Sequence, residues 1–202
     1  MLLDILNIVG IAAFAASGAL IGVRKRLDVF GVCVVGATTG IGGGLIRDVL
    51  LGIHPPTSMT YWPNIATAVA VSLLTFVAHS ALGRLMPTVV VFDAFGLGLF
   101  AAGSAGIVLA HGGGTLAAVT IGATTAVGGG VLRDILVNEV PLLLHRDLYA
   151  LPALLGAAIV PLADGAGARS EVGLIAGTVV ATGLRLTALW RRWNLPQPAA
   201  RE

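Results

Sequence analysis

The sequence predicts an all-α membrane protein of seven transmembrane helices, built as two inverted three-helix repeats and one extra helix. Its composition is 56% hydrophobic and only 11% charged, whereas soluble domains are about 25% charged. The mean hydropathy is +0.95. The 202 residues are enough for about seven spans of roughly 20 residues each, with short loops between them. A third observation that predicts this fold is an internal repeat, in which both copies contain the same glycine-rich motif.

The repeated motif is Gly-Gly-Gly-x-x-Arg-Asp. It occupies residues 42–48 and returns at 128–134, a shift of 86 residues that also places Asn7 on Asp93. Because each copy holds an odd number of predicted spans, the second copy enters the membrane from the opposite side. We therefore predict a first repeat at 1–86, a second, inverted repeat at 87–165, and a seventh helix with a C-terminal tail at 166–202.

Three spans are predicted in the first repeat, at residues 5–23, 29–52 and 64–82. The basic residues 24–26 stop the first span. Pro55-Pro56 ends the second, because proline cannot continue a helix and restricts the residue before it. Trp62 opens the third span at the level of the membrane interface, where tryptophan is enriched.

The second repeat and the last helix supply four more spans, at residues 88–110, 116–137, 148–163 and 172–190. The first two are joined by the flexible glycines 112–114. The third is short and contains Pro152 and Pro161. Trp190 and Trp193 flank two arginines after the last span, which is an aromatic and basic border typical of a membrane interface.

The loop charges predict the orientation of the chain. With seven spans, one side of the membrane receives only Arg169 among the basic loop residues. The other side receives Arg24, Lys25, Arg26, Arg84, Arg146, Arg191, Arg192 and Arg201. The positive-inside rule then puts the N-terminus outside and the C-terminus in the cytoplasm of a multi-pass protein of the cell (inner) membrane.

The triple glycines predict breaks in the second and fifth helices, at Gly42, Gly43, Gly44, Gly128, Gly129 and Gly130. Each glycine costs roughly 1 kcal/mol relative to alanine within a helix. A break would expose carbonyl groups that can coordinate a cation and amide groups that favour an anion. Duplicated, glycine-interrupted spans indicate a transport site near the middle of the bilayer.

An Arg-Asp pair follows each glycine motif: Arg47 with Asp48, and Arg133 with Asp134. Such charges inside a span cost on the order of 2.5–3.5 kcal/mol, so they should face a cavity or a partner. The side chains of adjacent residues point in different directions from a helix. We therefore predict pairing across the repeats, Arg47 with Asp134 and Arg133 with Asp48. Two interpretations remain open: structural anchors of the repeat interface, or charges that border the permeation path.

Other polar residues carry two interpretations each. Asp93 is either at the mouth of a pathway or in an interfacial hydrogen bond. The threonine hydroxyls one turn before the glycine motifs either bond back to their own helices or line a pore; they belong to Thr38, Thr39, Thr124 and Thr125. Ser17 and Ser104 lie among small residues and either permit close helix packing or line a pore. The sequence shows no metal-ligand spacing and no catalytic set, so we expect no metal site, no enzyme and no nucleic-acid partner.

The doubled motif, the three-plus-three-plus-one spans and the chain length resemble the prokaryotic trimeric intracellular cation channels, over about residues 4–190. The same sequences are also grouped as a bacterial glycine-transporter domain family. The resemblance implies a homotrimer in the lipid bilayer, with a pore in each protomer lined by the first, second, fourth and fifth spans and kinked at residues 42–44 and 128–130. It implies permeating monovalent cations, chiefly K+, with either K+ or Na+ as the permeating ion, and no cofactor, with bound lipid as a further candidate ligand.

Animal members of that family carry a lysine in the second motif and bind a phosphoinositide there, whereas this chain keeps Arg133-Asp134. The alternative to a channel is a secondary carrier for glycine or another small amino acid, since carriers also use broken, inverted helices. A channel predicts unitary currents, and a carrier predicts saturable, substrate-specific flux. A third hypothesis, a membrane scaffold without transport, is disfavoured by buried charges at both motifs.

Overall fold

The computed structural model describes residues 2–82, 85–144 and 148–193, and the regular structure of these residues is helical throughout. Its α-helices are α1 (Leu2–Arg24), α2 (Val29–Leu50), α3 (Thr57–Thr60), α4 (Trp62–Ala78), α5 (Leu85–Ala110), α6 (Thr115–Leu136), α7 (Ala150–Gly165) and α8 (Ser170–Arg191). Two short 3-10 turns are present at His79–Leu82 and Leu142–Leu144. Six long helices therefore lie within a few residues of the predicted spans, while the third predicted span is divided between α4 and a 3-10 turn.

Five helices are long and apolar enough to cross a membrane by length and composition: α1, α2, α5 from Pro87 onward, α6 and α8. The helices α4 and α7 are apolar but have only 17 and 16 residues. At 1.5 Å per residue they extend about 25 Å, against a hydrocarbon thickness of about 30 Å. The predicted division between repeats at 86/87 falls in the first turn of α5.

Short turns join the long helices into antiparallel pairs. Between α1 and α2, Arg26 adopts a left-handed backbone conformation with φ of 58°. The Asp28 carboxylate then accepts a hydrogen bond of 2.7 Å from the Gly31 amide, which caps the start of α2. The corresponding turn between α5 and α6 uses Gly112 at φ of 77°, a conformation that glycine adopts without steric cost.

The centre of the fold lies between α1 and α5, the first helix of each sequence repeat. The rings of Phe14 and Phe100 stack with centroids 5.4 Å apart and an interplanar angle of 12°. Each ring covers a glycine of the opposite helix. A Cβ on Gly10 would lie 3.2 Å from Phe100, and a Cβ on Gly96 would lie 2.5 Å from Phe14. The helices α2 and α6 pack against this pair and against each other, and α7 and α8 pack on the α5 side.

The helices that carry the triple glycines are continuous. The α-helix runs without interruption through Gly42–Gly44 and again through Gly128–Gly130, so the predicted breaks in the second and fifth helices are wrong. Glycine serves close approach here, because α2 and α6 cross with their backbones in contact. A continuous helix also keeps its backbone hydrogen bonds internal, as an apolar environment requires.

Candidate functional site

Four of the six glycines, Gly42, Gly43, Gly128 and Gly129, form the crossing of α2 and α6. A Cβ on Gly43 would overlap the carbonyl oxygen of Thr125, and a Cβ on Gly129 would overlap that of Thr39. These two contacts are reciprocal, because Thr39 and Thr125 also correspond under the 86-residue shift. Any side chain at either glycine would push the two helices apart.

The outer glycines of each triplet contact side chains instead of backbone. A Cβ on Gly42 would lie 2.5 Å from Leu132, and a Cβ on Gly128 would lie 2.7 Å from Ile46. Gly44 and Gly130 face hydroxyl groups, at 3.0 Å from Ser58 and 2.6 Å from Tyr149. All six glycines are therefore closely packed, four of them against the opposite helix and two against neighbouring segments.

On one side of the crossing lies the Arg133 cluster, which we define as Arg133, Asp134, Asp93, Ser17 and Tyr149. Arg133 is fully buried. Its Nε donates to Asp134 at 2.8 Å, and its NH1 group donates to both Ser17 and Asp93 at 2.7 Å. Three helices are thus tied to one guanidinium: α1 through Ser17, α5 through Asp93 and α6 through its own aspartate.

On the other side lies the Arg47 cluster, which we define as Arg47, Asp48, Asn7, Asn64 and Ser104. Arg47 is 4% exposed. Its Nε and NH2 groups donate to one oxygen of Asp48, at 2.9 and 2.7 Å. Asn7 donates to Asn64 at 3.0 Å, which connects α1 to α4. Ser104 of α5 is buried beside them.

The predicted pairing across the repeats, Arg47 with Asp134 and Arg133 with Asp48, is wrong. Each arginine pairs with the aspartate next to it in the chain, because a long guanidinium side chain can fold back along the helix end to reach its neighbour.

Each aspartate also accepts a hydrogen bond from a backbone amide, a partner that the sequence does not predict. The other carboxylate oxygen of Asp48 accepts from the Thr57 amide at 2.8 Å. That of Asp134 accepts from the Leu142 amide at 2.9 Å. Each aspartate therefore fixes the start of the next helical segment, α3 in one case and the 3-10 turn in the other. These contacts give both Arg-Asp pairs an anchoring role.

The two clusters differ in their access to solvent. Arg47 and Asp48 border a cavity of about 630 Å³. It extends along Asn7, Thr57 and Asn64 to His111 at the end of α5. Arg133, by contrast, is enclosed by protein on all sides. The first motif therefore borders a large cavity, whereas the guanidinium of the second is closed off from solvent.

The threonines near the glycines divide into two kinds. Thr39 and Thr125 are buried, and their hydroxyls donate to the carbonyls of Val35 and Ile121 in their own helices, each at 2.6 Å. In these two threonines the hydroxyl bonds back to its own helix, as the packing interpretation predicts. Thr38 is half-buried and Thr124 is exposed on the outside of the helix bundle.

Two buried residues of this region were not selected from the sequence. Tyr149, just before α7, is 2% exposed, and its hydroxyl lies with Asp93 over Gly130. The guanidinium carbon of Arg185 lies 4.7 Å from the centroid of the Tyr149 ring. Arg185 carries the signal that could have identified it, since an arginine inside an apolar span requires a partner or a cavity. Tyr149 carries no such signal.

An ion pair joins the two repeats at the ends of their helices. Lys25, in the turn after α1, contacts Glu139, in the loop after α6, at 2.8 Å, and each side chain is 35% exposed. The hydrogen bond from Lys25 lowers the pKa of the Glu139 carboxyl below its ordinary value of 4.5. Both loops therefore lie at the same end of the helix bundle.

Apolar helices packed around buried ion pairs define a multi-pass membrane protein. The chain belongs to the glycine transporter family, whose family model matches residues 4–80 and 90–164. Its relatives include the inner membrane protein YadS of Escherichia coli, 37% identical over 98% of this chain and 96% of that protein. A membrane protein of Deinococcus radiodurans is 45% identical over 77% of this chain and 73% of its own length.

The fold is that of the prokaryotic TRIC channels. One solved TRIC cation channel matches with a TM-score of 0.90 and 40% identity over the whole of both chains. The TRIC orthologue from Rhodobacter sphaeroides matches with a TM-score of 0.90 and 36% identity, over 94% of this chain and 98% of that chain. A prokaryotic TRIC channel in 0.5 M KCl matches with a TM-score of 0.89 and 34% identity, over 96% of this chain and 99% of that chain. These relatives are membrane channels rather than enzymes.

Proposed function

We propose that this protein is a channel for monovalent cations, chiefly K+, with one pore in each protomer between α1, α2, α5 and α6. The full-length structural match to TRIC cation channels carries the proposal. The arrangement of the polar residues supports it, because buried charges and hydroxyls lie on both sides of the glycine crossing along these same four helices.

Charge balance within the site is compatible with cation passage. Arg47 is neutralised by Asp48, and Arg133 faces two carboxylates, those of Asp134 and Asp93. A cation near either cluster therefore meets no net positive charge. At the crossing itself α2 and α6 touch, so a conducting path passes beside the two helices or requires them to separate.

The seven-span, inverted-repeat topology is part of the proposal. Reciprocal contacts, in which Gly43 meets Thr125 and Gly129 meets Thr39, are those of a twofold arrangement, here between repeats at 1–86 and 87–165. With α4 also crossing the membrane, four spans separate Lys25 from Glu139, so the two residues fall on the same side, as their contact requires. We place the N-terminus outside and the C-terminus in the cytoplasm of the inner membrane.

The assembly proposed is a homotrimer, as the name of the TRIC structures implies for those proteins. The exposed surface of the protomer is rich in large apolar side chains, among them Phe30, Leu74 and Val77. Lipid, neighbouring protomers or both can cover such a surface. The proposal requires no cofactor beyond the permeating ion, and bound lipid is a further partner.

The decisive experiment is planar-bilayer recording of the purified protein under a KCl gradient. We expect discrete unitary currents whose reversal potential lies close to that of K+, and a smaller permeability when NaCl replaces KCl. Currents that reverse at the chloride potential would contradict cation selectivity.

The second candidate, a carrier for glycine, is favoured only by the description of the family model. It predicts saturable uptake of labelled glycine into proteoliposomes without unitary currents. Glycine uptake that saturates, together with silent bilayers, would replace the channel proposal.

A further inference from the structure

We propose that the Arg47 cluster contains a binding site for one buried water molecule, held between Arg47 on α2 and Ser104 on α5. This water takes the place of the carboxylate that completes the Arg133 cluster. The inference goes beyond the proposed function and does not depend on which solute the protein passes.

Two buried polar groups carry the proposal. The NH1 group of Arg47 and the hydroxyl of Ser104 both lack a hydrogen-bond partner among the described residues. Both residues are at least nine-tenths buried, at 4% and 1% exposure. A buried polar group without a partner keeps the full cost of its desolvation, and that cost is larger when the group is charged. A ligand that satisfied both groups at once would offset this cost.

The space next to these groups has the size of one water. Arg47 and Ser104 line a common cavity of about 10 Å³, together with Asn7, Leu3 and Phe100. That is about the smallest volume that admits a single water. The cavity shares Leu3, Asn7, Arg47 and Ile107 with the cavity of about 630 Å³, so the two cavities are direct neighbours.

The chemistry of the groups favours a neutral ligand over an anion. Arg47 is already paired with Asp48 at 2.7 Å, so its positive charge is balanced. Arg47 can only donate, whereas the Ser104 hydroxyl can donate or accept. Asn7 uses its amide nitrogen on Asn64, which leaves its oxygen to accept. A water molecule can accept from the guanidinium and donate to the two oxygens, whereas a halide can only accept.

The other repeat shows what the water replaces. There the NH1 group of Arg133 donates directly to Asp93 and Ser17. Under the 86-residue shift Asp93 corresponds to Asn7, and the serine is displaced by one position, since Gly18 corresponds to Ser104. The Arg47 cluster thus lacks the carboxylate, and its hydroxyl, Ser104, lies one residue further along α5 than Ser17 lies along α1. Because Asn7 stands where the other repeat has Asp93, we infer that Arg47 binds a water molecule, whereas Arg133 binds two carboxylates directly.

Crystal structures that resolve ordered water, of the wild-type protein and of Asn7→Asp, test the proposal. In the wild type we expect one peak within about 3.2 Å of both Arg47 NH1 and Ser104 Oγ. In Asn7→Asp we expect this peak to be lost, because the new carboxylate binds Arg47 directly and the Asn64 amide turns to donate to it. The reciprocal change, Asp93→Asn, is the matched control, and it should gain a water beside Arg133.

A second measurement covers variants that do not crystallise or fold poorly. Hydroxyl-radical footprinting in proteoliposomes should label Phe100 in the wild type, although its ring is buried, because radicals form at the bound water. The labelling should fall several-fold in Asn7→Asp and in Ser104→Ala. The proposal is overturned by wild-type density that shows Arg47 NH1 bonded directly to protein, by an anomalous bromide peak at the site, or by equal labelling of Phe100 in all three proteins.

Discussion

The Arg-Asp pairs show how much of the site a sequence can predict at the scale of single residues. Buried charge at Arg47, Asp48, Arg133 and Asp134 follows from their place in apolar spans, and all four are buried. Their partners do not follow from sequence, because the direction in which an arginine folds depends on what surrounds the helix end. The Thr57 and Leu142 amides that bind the aspartates are backbone groups, which leave no mark in a sequence.

The first prediction ranks the two arginines by the number of partners that they hold. Arg133→Ala should lower the free energy of unfolding by about 3–5 kcal/mol, as expected when a buried ion pair loses one member, because it leaves Asp93 and Asp134 unpaired. Arg47→Ala should cost less, since it removes the arginine partner of only one carboxylate, Asp48, and Asp48 borders a cavity. Thermal unfolding in detergent measures both, and equal losses would contradict the ranking.

A double-mutant cycle gives the second prediction. Arg133→Ala combined with Asp93→Ala should be less destabilising than the sum of the single changes, because the pair is in direct contact at 2.7 Å and contacting residues couple. Arg47→Ala combined with Asp134→Ala is the matched control, and it should be additive because each residue pairs elsewhere. Coupling in the control cycle would instead support the predicted pairing of Arg47 with Asp134 across the repeats.

At the scale of helices, apolar periodicity and proline positions predict where the helices lie, but the role of glycine depends on the partner helix. The predicted spans differ from the observed long helices by only a few residues. Three glycines in a row weaken an isolated helix, which is the property that a sequence displays. Contact with a second backbone is a tertiary property, and here it keeps α2 and α6 unbroken.

The third prediction separates these two roles of glycine. Gly43→Ala and Gly129→Ala should destabilise the protein and lower the flux, because the added methyl overlaps a carbonyl oxygen of the crossing helix. Gly183→Ala in α8 is the control: a Cβ there meets nothing within 4 Å, so the change should stabilise by up to about 1 kcal/mol. Thermal unfolding and proteoliposome flux are measured together. Stabilisation by all three changes would show that α2 and α6 tolerate the methyl.

For the whole molecule, the charge distribution of the loops predicts an orientation that the helix lengths alone leave open. Five helices qualify as spans by length and composition, and the proposed topology depends on the shorter α4 and α7. The fold was accessible from sequence because hydrophobic spans extend along the chain and the repeat covers its first 165 residues. The contacts within the site were harder to predict from the sequence, because they join residues from five separate helices.

The fourth prediction tests whether α7 crosses the membrane. Single cysteines at Val140 and Ala168, which are exposed on either side of α7, are introduced into a Cys33→Ala background. An impermeant maleimide added to intact cells should label Ala168→Cys only, and Val140→Cys should react only after the membrane is opened. Labelling of both positions in intact cells would rule out the seven-span topology.

The fifth prediction concerns the ion pair between the two repeats. Because the pKa of Glu139 is lowered in the folded protein, the pair contributes stability above the ordinary pKa of the carboxyl and loses it as the pH falls through the lowered pKa. Glu139→Gln should therefore destabilise at pH 7 by no more than about 1 kcal/mol, as for other exposed pairs. The difference from the wild type should vanish at acidic pH and in high salt, and a difference that persists at acidic pH would contradict this assignment.

The glycine crossing also has a genetic consequence. Every single-base change in the first two positions of a glycine codon yields a residue with a Cβ or a stop codon. At Gly43 and Gly129 any such Cβ meets a carbonyl oxygen. No one-step substitution is therefore tolerated at these two codons without displacing a helix. The opposing positions, Thr39 and Thr125, contribute their backbone oxygen to that contact, which most amino acids supply equally well. In a collection of functional variants, the two glycine codons should show only silent changes, whereas the two threonine codons should also change to other residues that fit the same buried space.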